Sequence, residues 1–183
     1  MKILKVFFKC GAALLCAIAL ASCSGQGLLA PSAPNLNKQF TLTARVTDSS
    51  GSFTAQFTRT NIGKWQVTVT EPYEAQGVTF TCSGGSYSAA FGEMTADSLT
   101  ADFAASPPGL IISALENTVQ DGEAGVVYQQ NTYTVQSGTC LLTFEQGSYA
   151  PIALELPNLK AEITDFKITG DISTEKADVF VSE

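Results

Sequence analysis

No histidine occurs anywhere in the 183 residues of this chain. That absence removes Ser-His-Asp and Cys-His catalysis, His-ligated zinc and the usual general base near neutral pH. Basic residues are scarce too, ten Lys and Arg against seventeen Asp and Glu, for a net charge of −7. Nucleic acid needs clustered Lys and Arg to meet its phosphates, so it is excluded as a partner. Electrostatic adhesion to anionic lipid is disfavoured for the same reason. After the N-terminal segment no apolar run approaches the ~18–20 residues that span a bilayer. Acidic pairs such as Glu71/Glu74 and Asp97/Asp102 read as solvated groups at strand ends. Asp121-Gly122-Glu123 lacks the ligand density of a calcium loop, and no helix opens after Gly84-Gly85 to hold a phosphate. The chain is therefore read as a non-enzyme with no catalytic residue, no metal site and no cofactor.

What is present begins with an export signature. Lys2, Lys5 and Lys9 give a positive start, Gly11 to Leu20 (GAALLCAIAL) is a short apolar run, and Leu20-Ala21-Ser22-Cys23 closes it. Charge, apolar core and small residues in that order are the parts of a cleavable export signal. The four closing residues resemble a lipobox, the motif of bacterial lipoproteins. The resemblance implies cleavage before Cys23 and acylation of its thiol and new amine. Loss of the signal removes three positive charges and no negative ones, taking the net charge from −7 to about −10. Membrane attachment then rests on the acyl chains, of which two or more anchor stably where one binds only marginally. Ser24 to Asn37 (SGQGLLAPSAPNLN) is uncharged and rich in Ser, Gly, Pro and Asn. It reads as a tether of ~14 residues spanning roughly 20 Å. The expected organisation is a signal peptide over 1–22, lipidated Cys23 and a tether over 23–37, and one domain over 38–183. The expected address is extracytoplasmic, on a cell membrane or outer membrane.

From Lys38 the hydrophobic period is two. Phe40, Leu42, Ala44 and Val46 alternate with Thr41, Thr43, Arg45 and Thr47, and the cluster Asp48-Ser49-Ser50-Gly51 makes a turn. Phe53-Ala55-Phe57, Trp65-Val67-Val69, Val78-Phe80-Cys82 and Tyr87-Ala89-Phe91 repeat the pattern between further turns. These are half-buried strands of an antiparallel meander. Residues 106–120 change period: Ser106 caps, Pro107 and Pro108 suit a first turn, and Leu110, Ile111, Ala114, Leu115 and Val119 form one apolar stripe. Strands resume with Tyr133-Val135, Cys140-Leu142-Phe144, Ile152-Leu154-Leu156 and Leu159-Ala161-Ile163. Val179-Phe180-Val181 near the end could add an edge strand or fray. The predicted fold class is α+β: a strongly curved antiparallel sheet of about nine strands, an unclosed half-barrel, with one short helix on its concave side.

Cys10 and Cys16 leave with the signal and Cys23 carries lipid, so Cys82 and Cys140 remain. In an exported chain the two could form one disulfide. The alternative is two separate buried thiols behaving as small hydrophobes.

The lipobox, the early hairpins ending in Trp65-Gln66-Val67-Thr68-Val69-Thr70-Glu71-Pro72, the turn Gly84-Gly85-Ser86-Tyr87, and the run from Leu142-Thr143-Phe144-Glu145 to Ile152-Ala153-Leu154-Glu155-Leu156 resemble the LolA/LolB-like superfamily of exported lipoprotein carriers and lipid-binding lipoproteins. The resemblance covers most of residues 38–168. It implies an unclosed β-barrel with a helical lid and a hydrophobic ligand. Two features depart from it: no long N-terminal helix stands between Ser24 and Phe40, and the lid-holding arginine of some carriers is assigned to neither Arg45 nor Arg59. The first functional expectation is a monomeric, membrane-tethered protein that binds a lipid or other hydrophobic ligand in the half-barrel. Trp65, Phe80, Tyr87, Phe91, Phe103, Leu110, Ile111, Leu115, Tyr133 and Phe144 would form the cavity wall. The alternative is a non-catalytic interaction or sensor module in which those residues fill a solid core and the loops recognise a protein or glycan.

Overall fold

A computed structural model describes residues 36–97, 99–120 and 125–172. The segments read as signal peptide and lipobox and most of the expected tether therefore lie outside the described residues, as do residues 121–124 and Val179-Phe180-Val181. The first half is a meander of six strands: β1 (Lys38–Asp48), β2 (Gly51–Asn61), β3 (Lys64–Glu71), β4 (Thr79–Ser83), β5 (Ser86–Phe91) and β6 (Met94–Asp97). Two helices follow, α1 (Thr100–Ala104) and α2 (Pro107–Gln120). The second half is a meander of five strands: β7 (Gly125–Tyr128), β8 (Thr132–Ser137), β9 (Cys140–Glu145), β10 (Pro151–Leu156) and β11 (Leu159–Asp171).

The two meanders join through their ends. β11 pairs antiparallel with β1 over eleven positions, from Lys38 opposite Asp171 to Asp48 opposite Leu159. The result is one eleven-stranded sheet in the order β6-β5-β4-β3-β2-β1-β11-β10-β9-β8-β7. It curves into an open half-barrel, and the free edges are β6 and β7. Register shifts at Gln39/Phe40 and Thr43/Ala44 interrupt the central ladder, and such bulges sharpen the local twist. The helices thus link one edge of the sheet to the other.

Alternation sets the core. Phe40, Leu42, Ala44 and Val46 of β1 are buried, with Ala55 and Phe57 of β2, Trp65 and Val67 of β3, and Leu142 and Phe144 of β9. Ile111, Ile112, Ala114 and Leu115 of α2 and Phe103 of α1 belong to the same cluster. The expected turn at residues 48–51 is held by the Asp48 carboxylate, which accepts from the Ser50 and Gly51 amides and the Ser50 hydroxyl. These bonds lower the Asp48 pKa below its ordinary value.

Several expectations need correction in detail. The sheet has eleven strands rather than about nine. The two additional ones, β6 and β7, contain no buried residue, so neither shows a period-two apolar pattern. β11 continues to Asp171, eight residues past Ile163, because β1 supplies a partner along its whole length. A second helix, α1, precedes the expected one and takes the buried Phe103 with it.

Candidate functional site

The concave face is covered by α2, and the most informative contacts are at its third turn. Glu116 sits on α2 next to buried Leu115, at the margin of the apolar stripe. It faces Arg59, which is in phase with Ala55 and Phe57 on β2 and is 1% exposed. Arg59 Nε donates to Glu116 Oε1 at 2.9 Å and Nη2 donates to Oε2 at 2.9 Å, a bidentate pair. Glu116 Oε1 also accepts from Trp65 Nε1 at 2.7 Å and from the Gly63 amide at 3.1 Å. The other Arg59 nitrogen, Nη1, donates to the carbonyls of Leu36 at 2.9 Å and Lys38 at 3.3 Å. The Arg59–Glu116 pair therefore ties the helix, the β2–β3 turn and the entry to β1 together.

Burial alone would raise the Glu116 pKa. Hydrogen bonds from Arg59, Trp65 and Gly63, with the Arg59 charge, outweigh it and hold the carboxyl below its ordinary value. The turn is shaped for this contact. Gly63 has a φ of +62°, a left-handed conformation that glycine adopts without a Cβ penalty, and its amide meets the carboxylate.

The start of α2 is equally determined. Ser106 Oγ donates to the Phe103 carbonyl at 2.6 Å and accepts from the Gly109 amide at 3.4 Å, the expected cap. A Cβ on Gly109 would lie 2.1 Å from the Phe103 carbonyl oxygen. Only glycine permits α2 to pass this close to α1.

The residues expected to line a cavity divide into three groups. Trp65, Phe103, Ile111, Leu115, Tyr133 and Phe144 are buried on the concave face. Phe80 and Tyr87 are half-buried, and their rings pack on Phe103 with centroids at 5.1 and 4.9 Å. Two depart from the expectation. Phe91 is exposed at the end of β5, beside the free edge. Leu110 is also exposed, because it lies on the flank of α2 and not on the face turned to the sheet. There it borders an open cleft of about 560 Å³ with Ser113, Ala114, Asn117 and the β8–β9 turn around Cys140. Ile111, Ile112, Ala114 and Leu115, on the face turned to the sheet, pack into the core cluster.

Tyr133 carries an anomaly. Its ring stacks on Phe144 at 5.0 Å and its hydroxyl is buried with no hydrogen-bond partner among the described residues. Burial, then the nearby Tyr149 and Tyr128 hydroxyls, push its pKa up to about 12.

Cys82 and Cys140 are buried free thiols, the second of the two arrangements expected. Cys82 is on β4 and Cys140 on β9, with β3, β2, β1, β11 and β10 between them in the sheet. A disulfide needs Cα atoms within ~7 Å. Burial raises the pKa of both thiols.

Sequence reasoning considered Arg59 without giving it a role and missed Glu116. The available signal was a charged residue at an inward position of β2, after Phe53, Ala55 and Phe57, and a carboxylate on the border of the long amphipathic helix.

No family model and no curated protein sequence matches the chain. Among solved structures it is similar to an uncharacterized conserved protein from Thermus thermophilus, at 11% identity and a TM-score of 0.47, over 76% of this chain and 83% of that one. It is also similar to a LolA superfamily protein from Nitrosomonas europaea, at 10% identity and a TM-score of 0.37, over 74% and 87%. The likeness is one of strand and helix arrangement. The roles of Arg59 and Glu116 follow from their own contacts.

Proposed function

We propose that this chain is an exported, membrane-tethered protein without catalytic activity, which binds a lipid or other hydrophobic ligand on the concave face of the half-barrel. Helix α2 is the lid and the Arg59–Glu116 pair is its latch. The observation that carries this reading is the charged contact itself. In an interface otherwise built of Ile111, Ile112, Leu115, Phe103 and Trp65, the helix is also held by one carboxylate that accepts four hydrogen bonds. Apolar packing alone would be enough to bury a structural helix.

Opening exposes Arg59 and Glu116 to water, which recovers hydration of several kcal/mol per ion and offsets much of the lost pairing. An acyl chain entering the vacated surface gains ~0.8 kcal/mol per buried methylene. A chain of about fifteen methylenes gives roughly 12 kcal/mol before ordering costs, ample to replace the apolar contacts of one lid helix. The anchor would be Cys23, so that the protein works at a membrane surface as a monomer.

The burial of Ile111, Ile112 and Leu115 in the core cluster favours the second reading, an interaction module whose core is solid and which uses its edges or loops. Native mass spectrometry separates the two. Residues 34–183, one compact unit, would be purified without detergent and incubated with mixed phospholipids. The lid reading expects an adduct of lipid mass that is lost on denaturation. An unchanged apo mass would refute it.

A further inference from the structure

A second cleft lies on the face of the sheet turned away from α2. Its volume is about 580 Å³, within the range of ligand sites, and Arg45, Thr54, Thr70, Glu71, Tyr73 and Gln76 border it. Arg45 alternates with buried Ala44 and Val46, so it projects from the outer face. Thr54 is the register partner of Arg45 on β1 and of Glu71 on β3, which sets the three in one row across the strands. Thr54 Oγ1 donates to Glu71 Oε2 at 2.7 Å, and Thr70 Oγ1 donates to the Thr54 carbonyl at 3.1 Å. The first of these bonds holds the carboxylate. The guanidinium of Arg45, by contrast, has no ion-pair partner among the described residues. Tyr73, on the single helical turn Tyr73–Ala75, is 87% exposed and offers a bare ring at the rim.

The chemistry narrows the ligand. One arginine and one glutamate leave the lining without net charge, which favours neither an anion nor a cation. Planar donors and acceptors beside hydroxyls suit adjacent hydroxyl groups on a ring, each of which both donates and accepts. A flat amphipathic ring in water is a stacking platform for the C–H face of such a ring. An extended peptide finds little free strand edge here: β1 and β2 are paired on both sides, and only Thr70 and Glu71, at the end of β3, lie beyond its ladder with β4. We propose that this cleft binds a neutral pyranose sugar, with Tyr73 stacked on the ring and Arg45 and Glu71 hydrogen-bonded to neighbouring hydroxyls. The site is independent of the lid and its latch.

The test is saturation-transfer NMR on the full-length protein in a detergent without a sugar headgroup. The probes are the methyl glycosides of glucose, galactose, mannose and N-acetylglucosamine, one at a time. At least one is expected to receive saturation, with binding weakened at least tenfold by Tyr73→Ala and by Arg45→Met. Tyr73 is exposed, so its replacement should leave the circular dichroism melt unchanged, and that control accompanies the binding data. Absence of transfer to all four glycosides overturns the proposal. So does transfer that survives both substitutions, or binding of methyl glucuronide or inorganic phosphate alone, which would make Arg45 an anion site.

Discussion

Replacing Glu116 with glutamine tests the latch at its most sensitive atom. The side chain keeps its length, but the negative charge is lost and an amide nitrogen is set against the donors of Arg59. Arg59 is 1% exposed and the Glu116 side chain 13% exposed, so the guanidinium is left charged in a site that water barely reaches. Removing one partner of a buried pair costs about 3–5 kcal/mol. Against the ~5–15 kcal/mol that holds a typical domain together, that is a large share. Replacing both partners, Arg59→Met with Glu116→Leu, removes the unpaired charge as well, and such exchanges are often neutral or stabilising by ~1–4 kcal/mol. The pattern expected is therefore a strongly destabilised single variant and a recovered double variant. Urea unfolding followed by the fluorescence of Trp65, the sole tryptophan and itself a donor to Glu116, measures both. A Glu116→Gln cost below about 1 kcal/mol would show that the pair is solvated and that the latch is not buried in solution. A double variant no better than the single would show that α2 depends on the charges for its packing.

Acid should loosen the same contact. The Glu116 carboxyl is held below its ordinary value of 4.5, so its contribution is complete above that pH and disappears as pH falls through the lower folded value. As pH falls from above 4.5 through the lower folded value, the urea midpoint should drop by more in the native chain than in Glu116→Gln, and equal drops would refute the assignment. Gly109→Ala sets a Cβ 2.1 Å from the Phe103 carbonyl and should cost about 1–3 kcal/mol through overpacking. Gly125→Ala, with nothing within 4 Å, should stay within ~0.5 kcal/mol, and thermal melting compares them. Tyr133→Phe removes a buried hydroxyl that has no partner among the described residues, so it should be neutral or stabilising by up to ~1 kcal/mol; a clear loss in urea stability would reveal a hidden partner. In residues 34–183, Cys82 and Cys140 should resist a thiol reagent until the protein unfolds and then both react, whereas no reaction in denaturant would mean a disulfide.

The period-two runs were legible because most interior strands turn one face to the core, and apart from Val78, one residue before β4, every such run from Phe40 to Ile163 lies on a strand. The edge strands were not legible because their neighbours on one side are missing. Met94 and Val127, at 67% and 57% exposed, face water on strands that a sheet recruits by backbone pairing alone. Leu110 misled for a related reason. It belongs to the apolar stripe by spacing, but a helix resting on a curved sheet buries a narrower arc than the stripe covers, so the flanking residue is left at a cleft. Phe91 is in phase with Tyr87 and Ala89 yet ends its strand at the open side of the sheet. The Arg59–Glu116 pair was the hardest to see. Its members are 57 residues apart, and only the topology that carries the chain from β6 across to β7 brings the helix over β2.

On the proposed reading, that crossing also explains why a charged latch is useful where it sits. A helix joined to both free edges of an open sheet cannot leave without pulling on β6 and β7, which contain no buried residue and therefore yield at little cost. Its hold on the sheet is decided at the centre, where Arg59 and Glu116 meet. Apolar contacts can be partly remade by repacking when a helix shifts, at a cost set by how well the side chains refill the space. A bidentate pair with two further donors to the same carboxylate is either formed or solvated, since displacement by one turn breaks all four bonds together. On the proposed reading this gives α2 two discrete positions, closed with the charges paired and open with them in water. An apolar ligand then shifts the balance by occupying the surface that the helix leaves. The double variant Arg59→Met/Glu116→Leu separates stability from gating: it should fold as well as the native chain but exchange the amides of α2 with solvent over a continuous range of rates. Retention of a single, sharply cooperative opening event in that variant would locate the switch elsewhere.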